Sequence, residues 1–267
     1  MLRSHEDDDL NARQNATSER SAAAMLDKET ERMLYVLYKE HFAKADAERH
    51  WNPWGSIEWQ AETPTPSPAL VDATLALWRD ATLLPDYAAI NQNLLRASRG
   101  RAWFWTHWSY EESKHLIGLQ EWLTRKGGWD ATELATAAEE LLTRYRWEPP
   151  CDEATCVCVD ALLYELSQIE KLEALAAQAR TEGESILAEL VGFLIADDQA
   201  QSDYLAEALR IIGKRYPERL HEALQTVAAS MRPPSWRQSY KPTSRKPTGL
   251  VRGRSPGCHQ TRRGSRS

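Results

Sequence analysis

The residues that could do chemistry gather in the stretch Trp103-Phe-Trp-Thr-His-Trp-Ser-Tyr-Glu111-Glu112-Ser-Lys-His115. A carboxylate three residues before an imidazole, as in Glu112 and His115, puts both side chains on one helix face about one turn apart. Helix bundles build carboxylate-bridged metal sites from this spacing. On a helix, Trp105, Trp108, Glu112, His115, Leu119 and Trp122 fall in one stripe, so the pair is expected within an apolar face. Burying a carboxylate there is costly unless a metal or a charged partner compensates. The same four-residue pattern on a solvated turn would need no compensation, so what the other helices supply decides between the two readings.

Two further segments place acids inside stripes that should face a core. The stripe Cys158, Ala161, Leu162, Glu165, Ile169, Leu172, Ala176 has Glu165 alone at its middle. In the stripe Leu187, Leu190, Leu194, Asp198, Gln201, Leu205, Leu209, the polar Asp198 and Gln201 interrupt an apolar row. One such intrusion is usually a satisfied buried polar group. Three, at the centres of helices long enough to cross a bundle, point to a shared metal site of Glu112, His115, Glu165 and Asp198.

The elements that must position these groups are helices throughout, and the fold class is read as all-α. Helical spacing is expected over about 21–50, through Met25, Leu26, Met33, Leu37 and His41. Pro53 and Gly55 break it, in an aromatic segment from Trp51 to Trp59 that should pack on the body. Alternate prolines make residues 63–68 a stiff extended spacer. A second helix runs from 68 to about 95 with a kink or short break at Pro85. The others are expected at about 101–126, stopped by Gly127-Gly128, then 131–145, 152–181, 184–213, stopped by Gly213, and 217–231.

Twelve Gly and thirteen Pro in 267 residues, with long Ala/Leu/Glu/Arg-rich runs, argue against an all-β protein. No apolar run approaches the length that crosses a bilayer and no secretory leader pattern follows Met1, so a cytoplasmic location is expected. The sequon at Asn15 then has no meaning. The four cysteines do not make a disulfide framework, and Cys151, Cys156 and Cys158 have poor spacing for zinc; they read as small helix residues. Residues 1–20 are polar and aperiodic, a disordered lead-in to a helical domain over 21–231. Residues 232–267 hold ten Arg/Lys and no acid, so the net charge of −6 conceals −16 on the first 231 residues. This basic tail reads as disordered, and its few aromatics argue against a nucleic-acid arm.

With these residues in view, the chain resembles the soluble acyl-acyl-carrier-protein desaturases. The likeness rests on Leu84-Pro-Asp-Tyr87, on Trp108-Ser-Tyr-Glu111-Glu112-Ser-Lys-His115 and on Gly192-Phe-Leu-Ile-Ala-Asp197-Asp198, in that order, and spans roughly residues 70 to 210. The family shows Leu-Pro-x-Tyr, Trp-Thr-x-Glu-Glu-x-x-His and Gly-x-Ile-Ala-x-Asp-Glu-x-x-His. The resemblance implies a ferritin-like helix bundle with flanking helices and a cluster of two irons. It implies O₂-dependent dehydrogenation of a fatty acyl chain on acyl carrier protein, electrons from a ferredoxin-like donor, and a homodimer. Trp105, Trp108, Leu119, Leu162 and Leu194 would then line an acyl channel, or serve as plain core.

Carried over residue by residue, Glu112 and His115 match the first Glu-x-x-His, Glu165 the lone Glu, and Asp198 the Glu of the second pair. Gln201 stands where that pair has His, and Ala81 where the family has its first ligand Glu; Asp80 is turned about 100° away. Three carboxylates and one imidazole leave two divalent irons one charge short of neutrality, so two irons, one or none are all open. The alternatives are a metal-poor ferritin-like binding or structural homologue and a di-iron oxygenase with another substrate. A −16 body also repels the acidic carrier protein unless the basic tail docks it.

Overall fold

The computed structural model describes residues 25–230, apart from 148, 150 and 152. The expected lead-in over 1–20 and the basic tail over 232–267 lie outside the described residues. The helices are α1 (Lys28–Glu48), α2 (Pro68–Thr82), α3 (Leu84–Leu95), α4 (Arg99–Arg125), α5 (Ala131–Arg144), α6 (Ala154–Glu182), α7 (Ser185–Arg215) and α8 (Pro217–Ser230). The fold is an all-α bundle, with no strand among the described residues. No helix among them is long and apolar enough to cross a membrane.

Local chemistry explains most boundaries. Asp27 caps α1 by accepting from the backbone N–H of Glu29 and Thr30, so this helix starts at Lys28; the expected start near residue 21 lies outside the described residues. Ser67 caps α2 ahead of Pro68 at the first turn. The Ser67 hydroxyl also donates to Glu182 Oε1 at 2.8 Å, tying the proline-rich spacer to the end of α6. The expected break falls at Leu83, which leaves Pro85 in the first turn of α3, where its missing N–H costs nothing. Asp130 and Glu133 form a reciprocal capping box for α5.

Two expectations are corrected here. Gly213 does not stop α7, which continues to Arg215. A Cβ on Gly213 would lie 2.5 Å from Leu220 Cδ2, so this glycine serves the close approach of α8. Cys151 is also more than a small helix residue, because it is disulfide-bonded to Cys156 in the first turn of α6; Cys158 is buried and free.

Helices α6 and α7 make the most extensive pairing, and α4 packs against α1, α2, α3 and α7. At Gly118 a Cβ would meet Leu190 Cδ1 at 2.7 Å, so α4 and α7 approach closely one turn beyond His115. The core has two apolar clusters. One holds Leu34, Tyr87, Phe104, Trp105, Trp108 and Tyr204; the other holds Trp51, Trp78, Leu119, Trp122, Leu187 and Leu190. Leu116, one residue past His115, packs against both. The aromatic segment after α1 packs on the body as expected, with Trp51, Ile57 and Trp59 buried, although Trp54 stays exposed.

Candidate metal centre

Three long helices bring acids into the layer between these clusters. Helix α4 presents Glu111, Glu112 and His115, α7 presents Asp197, Asp198 and Gln201, and α6 presents Glu165; all are buried. Glu112, His115 and Asp198 each offer a ligand atom, all within 4.8 Å of one another. His115 Nδ1 lies 3.4 Å from Glu112 Oε2 and 3.5 Å from Asp198 Oδ1. Glu165 is fully buried and accepts a 2.6 Å hydrogen bond from Trp108 Nε1 at Oε1. Glu112 Oε1, Glu165 Oε2 and Asp198 Oδ1 accept no hydrogen bond among the described residues. Buried oxygens are rarely left so.

The electrostatics report a shortage of positive charge. Burial first, then Asp198 and Glu112, push the Glu165 carboxyl well above its ordinary range. Burial also raises Asp198 well above its ordinary range, against the pull of His115. Burial opposes a charge on His115, but Glu112, Asp197 and Asp198 outweigh it and hold the imidazole well above its usual value. Glu165 and Asp198 are therefore biased toward the protonated form, whose proton a divalent cation would displace.

The orientation of His115 is set from behind. Its Nε2 faces Asp197 Oδ2 at 3.4 Å, which leaves Nδ1 toward Glu112 and Asp198. A ligating imidazole commonly has its second nitrogen held by a carboxylate in this way. Asp197 accepts from Trp51 Nε1 and from Lys114 Nζ, both at 2.8 Å, and pairs with Arg49 Nε at 3.4 Å. Burial works against the Asp197 charge, yet His115 and Lys114 hold its carboxyl below the ordinary range. Asp197, Lys114, Arg49 and Trp51 escaped the sequence reading as site residues. The doubled acids Glu111-Glu112 and Asp197-Asp198 were the available signal, since consecutive residues on a helix face different neighbours.

The two departures from the family pattern have definite surroundings. Ala81 lines a small cleft with Glu112, His115 and Asp198, and offers only a methyl group. Its neighbour Asp80 pairs with Lys171 Nζ at 3.5 Å and does not stand in as a ligand. The Gln201 amide donates to Glu111 Oε2 at 3.2 Å. Of the expected channel residues, Trp108 borders an apolar cavity of about 200 Å³ that reaches Glu112 between α2, α3 and α4. Leu119 and Leu194 line the small cleft, whereas Trp105 packs in the core against Tyr87 and Trp108.

Set beside models of known protein families and beside curated proteins, the chain matches none.

Proposed function

We propose that the protein is a metal-dependent oxidoreductase of the soluble-desaturase type, its metal held by Glu112, His115, Asp198 and Glu165. The observation that carries this reading is the meeting of two buried carboxylates, Glu112 and Asp198, at the Nδ1 face of one oriented imidazole, with the buried Glu165 of α6 keeping Oε2 free of any hydrogen bond among the described residues. These donors suit iron, which takes carboxylate and imidazole together. They fit one divalent cation. A second iron finds no donor at Ala81, and Gln201 already donates its amide to Glu111. We therefore propose one iron per chain.

Iron held there supplies the activation of O₂ by which two hydrogens leave an unactivated carbon chain. The chain's own residues do the rest. Asp197, held by Trp51 and Lys114, orients His115. Trp108 occupies Oε1 of Glu165, so a proton or a cation is received at Oε2. The half-open apolar cleft beside Glu112, walled by Ala81, Leu84, Ala88, Trp108 and Leu116, admits an apolar segment. At about 200 Å³ it is smaller than ordinary ligand pockets, which run from roughly 300 Å³ upward. A short or partly inserted apolar chain fits it better than a long one. On this reading the electron donor is ferredoxin-like and the acyl group arrives on acyl carrier protein.

A second reading, a metal-poor structural or binding homologue, draws on the same Ala81 and Gln201. Metal content after growth with added iron separates the two. The oxidoreductase reading expects about one iron per chain, lost in His115→Ala. Protein that carries no iron, and whose melting temperature is unmoved by ferrous iron, supports the homologue and overturns our reading.

A further inference from the structure

A second set of ligand-type side chains sits where α1 crosses α4. His41, His107 and Glu111 each offer an atom, all within 4.8 Å of one another. None of the three is among the ligands proposed above, although Glu111 is the chain neighbour of Glu112 and accepts from Gln201 in that layer. His107 and Glu111 are four residues apart on α4, which puts them on one face, and His41 comes across from α1. His107 Nε2 lies 3.8 Å from Glu111 Oε1, and the two imidazole rings meet edge to face at 5.5 Å.

Packing alone does not account for this pair. His41 is 7% exposed, wedged between the rings of Phe104, Tyr204 and His107, yet its Nε2 makes no hydrogen bond among the described residues. The Nδ1 of His107 is equally unpartnered. An aromatic ring needed only for volume would leave no nitrogens unmet, and a buried imidazole beside a half-buried one, each with a bare nitrogen, is costly without a shared partner.

We propose that His41, His107 and Glu111 form a second metal site, for a late first-row ion such as zinc. Two imidazoles and one carboxylate match the donor preference of such ions and leave further coordination positions open. Burial pushes the His41 imidazole down to about 3, and it lowers His107 as well, so both are neutral with lone pairs available near pH 7. Magnesium and calcium are disfavoured, because Glu111 is the sole oxygen donor of the three; any cation there must also displace Arg49 from Glu111, 3.3 Å away. An entry route exists. His107 and Glu111 line a cleft of about 360 Å³, which Phe42, Trp51, Tyr110 and Lys114 also border.

The test is cobalt(II) titration of the full metal-free chain, read by visible absorption and by metal retained per chain after gel filtration. The wild type is expected to hold two equivalents. His107→Gln and, separately, His41→Asn should each lose one equivalent, while His115→Ala loses the other and keeps this one. Tenfold excess magnesium should displace neither. If His107→Gln and His41→Asn both hold as much cobalt as the wild type, with the same spectrum, the second site does not exist, whatever becomes of the first. If instead the wild type holds one equivalent that His115→Ala retains and His107→Gln loses, this inference stands and the reading of the first centre fails. Circular dichroism melts of the metal-free variants establish that a lost equivalent is not lost fold, and His107, at the cleft wall, is the gentler of the two positions to change.

Discussion

Replacing Asp197 by Asn removes the charge from a carboxylate that accepts from Trp51 Nε1 and Lys114 Nζ at 2.8 Å and pairs with Arg49 at 3.4 Å. Lys114 is nearly buried and keeps its charge without the carboxylate that offset it, whereas Arg49 retains Glu111 at 3.3 Å. Breaking a buried pair from one side costs about 3–5 kcal/mol. The Asn carbonyl retains one acceptor, so a loss of about 3 kcal/mol is expected in the metal-free protein at pH 7. Losing the carboxylate behind a metal-bound imidazole costs a further 10- to 100-fold in metal affinity, or roughly 1.4–2.7 kcal/mol. Asp198→Asn is the internal control, one residue along. Burial holds its carboxyl well above the ordinary aspartate range, so the amide replaces a group biased toward its neutral form without metal. That variant should unfold within about 1 kcal/mol of the wild type or be more stable, and yet lose its metal. The pH signs oppose each other. Stability from Asp197, whose carboxyl is lowered, is present above 3.8 and fades as pH falls, so the Asp197→Asn deficit shrinks in acid. Stability from the raised Asp198 is present in acid and fades as pH rises, so any gain in Asp198→Asn grows toward alkaline pH. Urea unfolding of both variants across pH, with iron affinity measured in parallel, reads all of this. Equal destabilisation by the two substitutions, or a loss below 1 kcal/mol for Asp197→Asn, would refute the division of labour between these neighbours.

Two further outcomes follow from the same geometry. Ala81→Glu combined with Gln201→His puts donors on either side of the cluster, and on the proposed one-iron reading iron content is expected to rise to two per chain; a value that stays at one means the backbone positions do not suit a second ion. Asp160 stands on α6 five residues before Glu165, and burial raises its carboxyl to about 6. Because the folded value exceeds the unfolded one, its contribution is present below about pH 4 and lost as pH rises through 6. Asp160→Asn should therefore gain on the order of 1–3 kcal/mol over the wild type at pH 8 and little at pH 4, from urea midpoints at each pH; an identical pH slope in both proteins would exclude that role.

The helices and the first layer of the centre were legible in the chain itself. Ser67-Pro68, Pro85 and the Asp130/Glu133 box mark boundaries through backbone chemistry that acts within a few residues. The 3.6-residue period alone puts Glu112 and His115 on the buried face of α4, Glu165 on that of α6 and Asp198 on that of α7, and all four are buried there. What periodicity cannot express is the meeting of one helix with another. That Asp197, and not Asp198, backs His115 depends on the rotation of α7 against α4, which the contact at Gly118 and Leu190 helps set. That Asp80 turns to Lys171, that Gln201 turns to Glu111, and that His41 of α1 finds His107 of α4 are likewise decided by packing across helices. The sequence by itself determined the helices and the stripes of α4, α6 and α7 that leave water with Glu112, His115, Glu165 and Asp198 in them. Only the tertiary structure decided which of them face one another, because that depends on interhelical distance and rotation, which no single helix encodes.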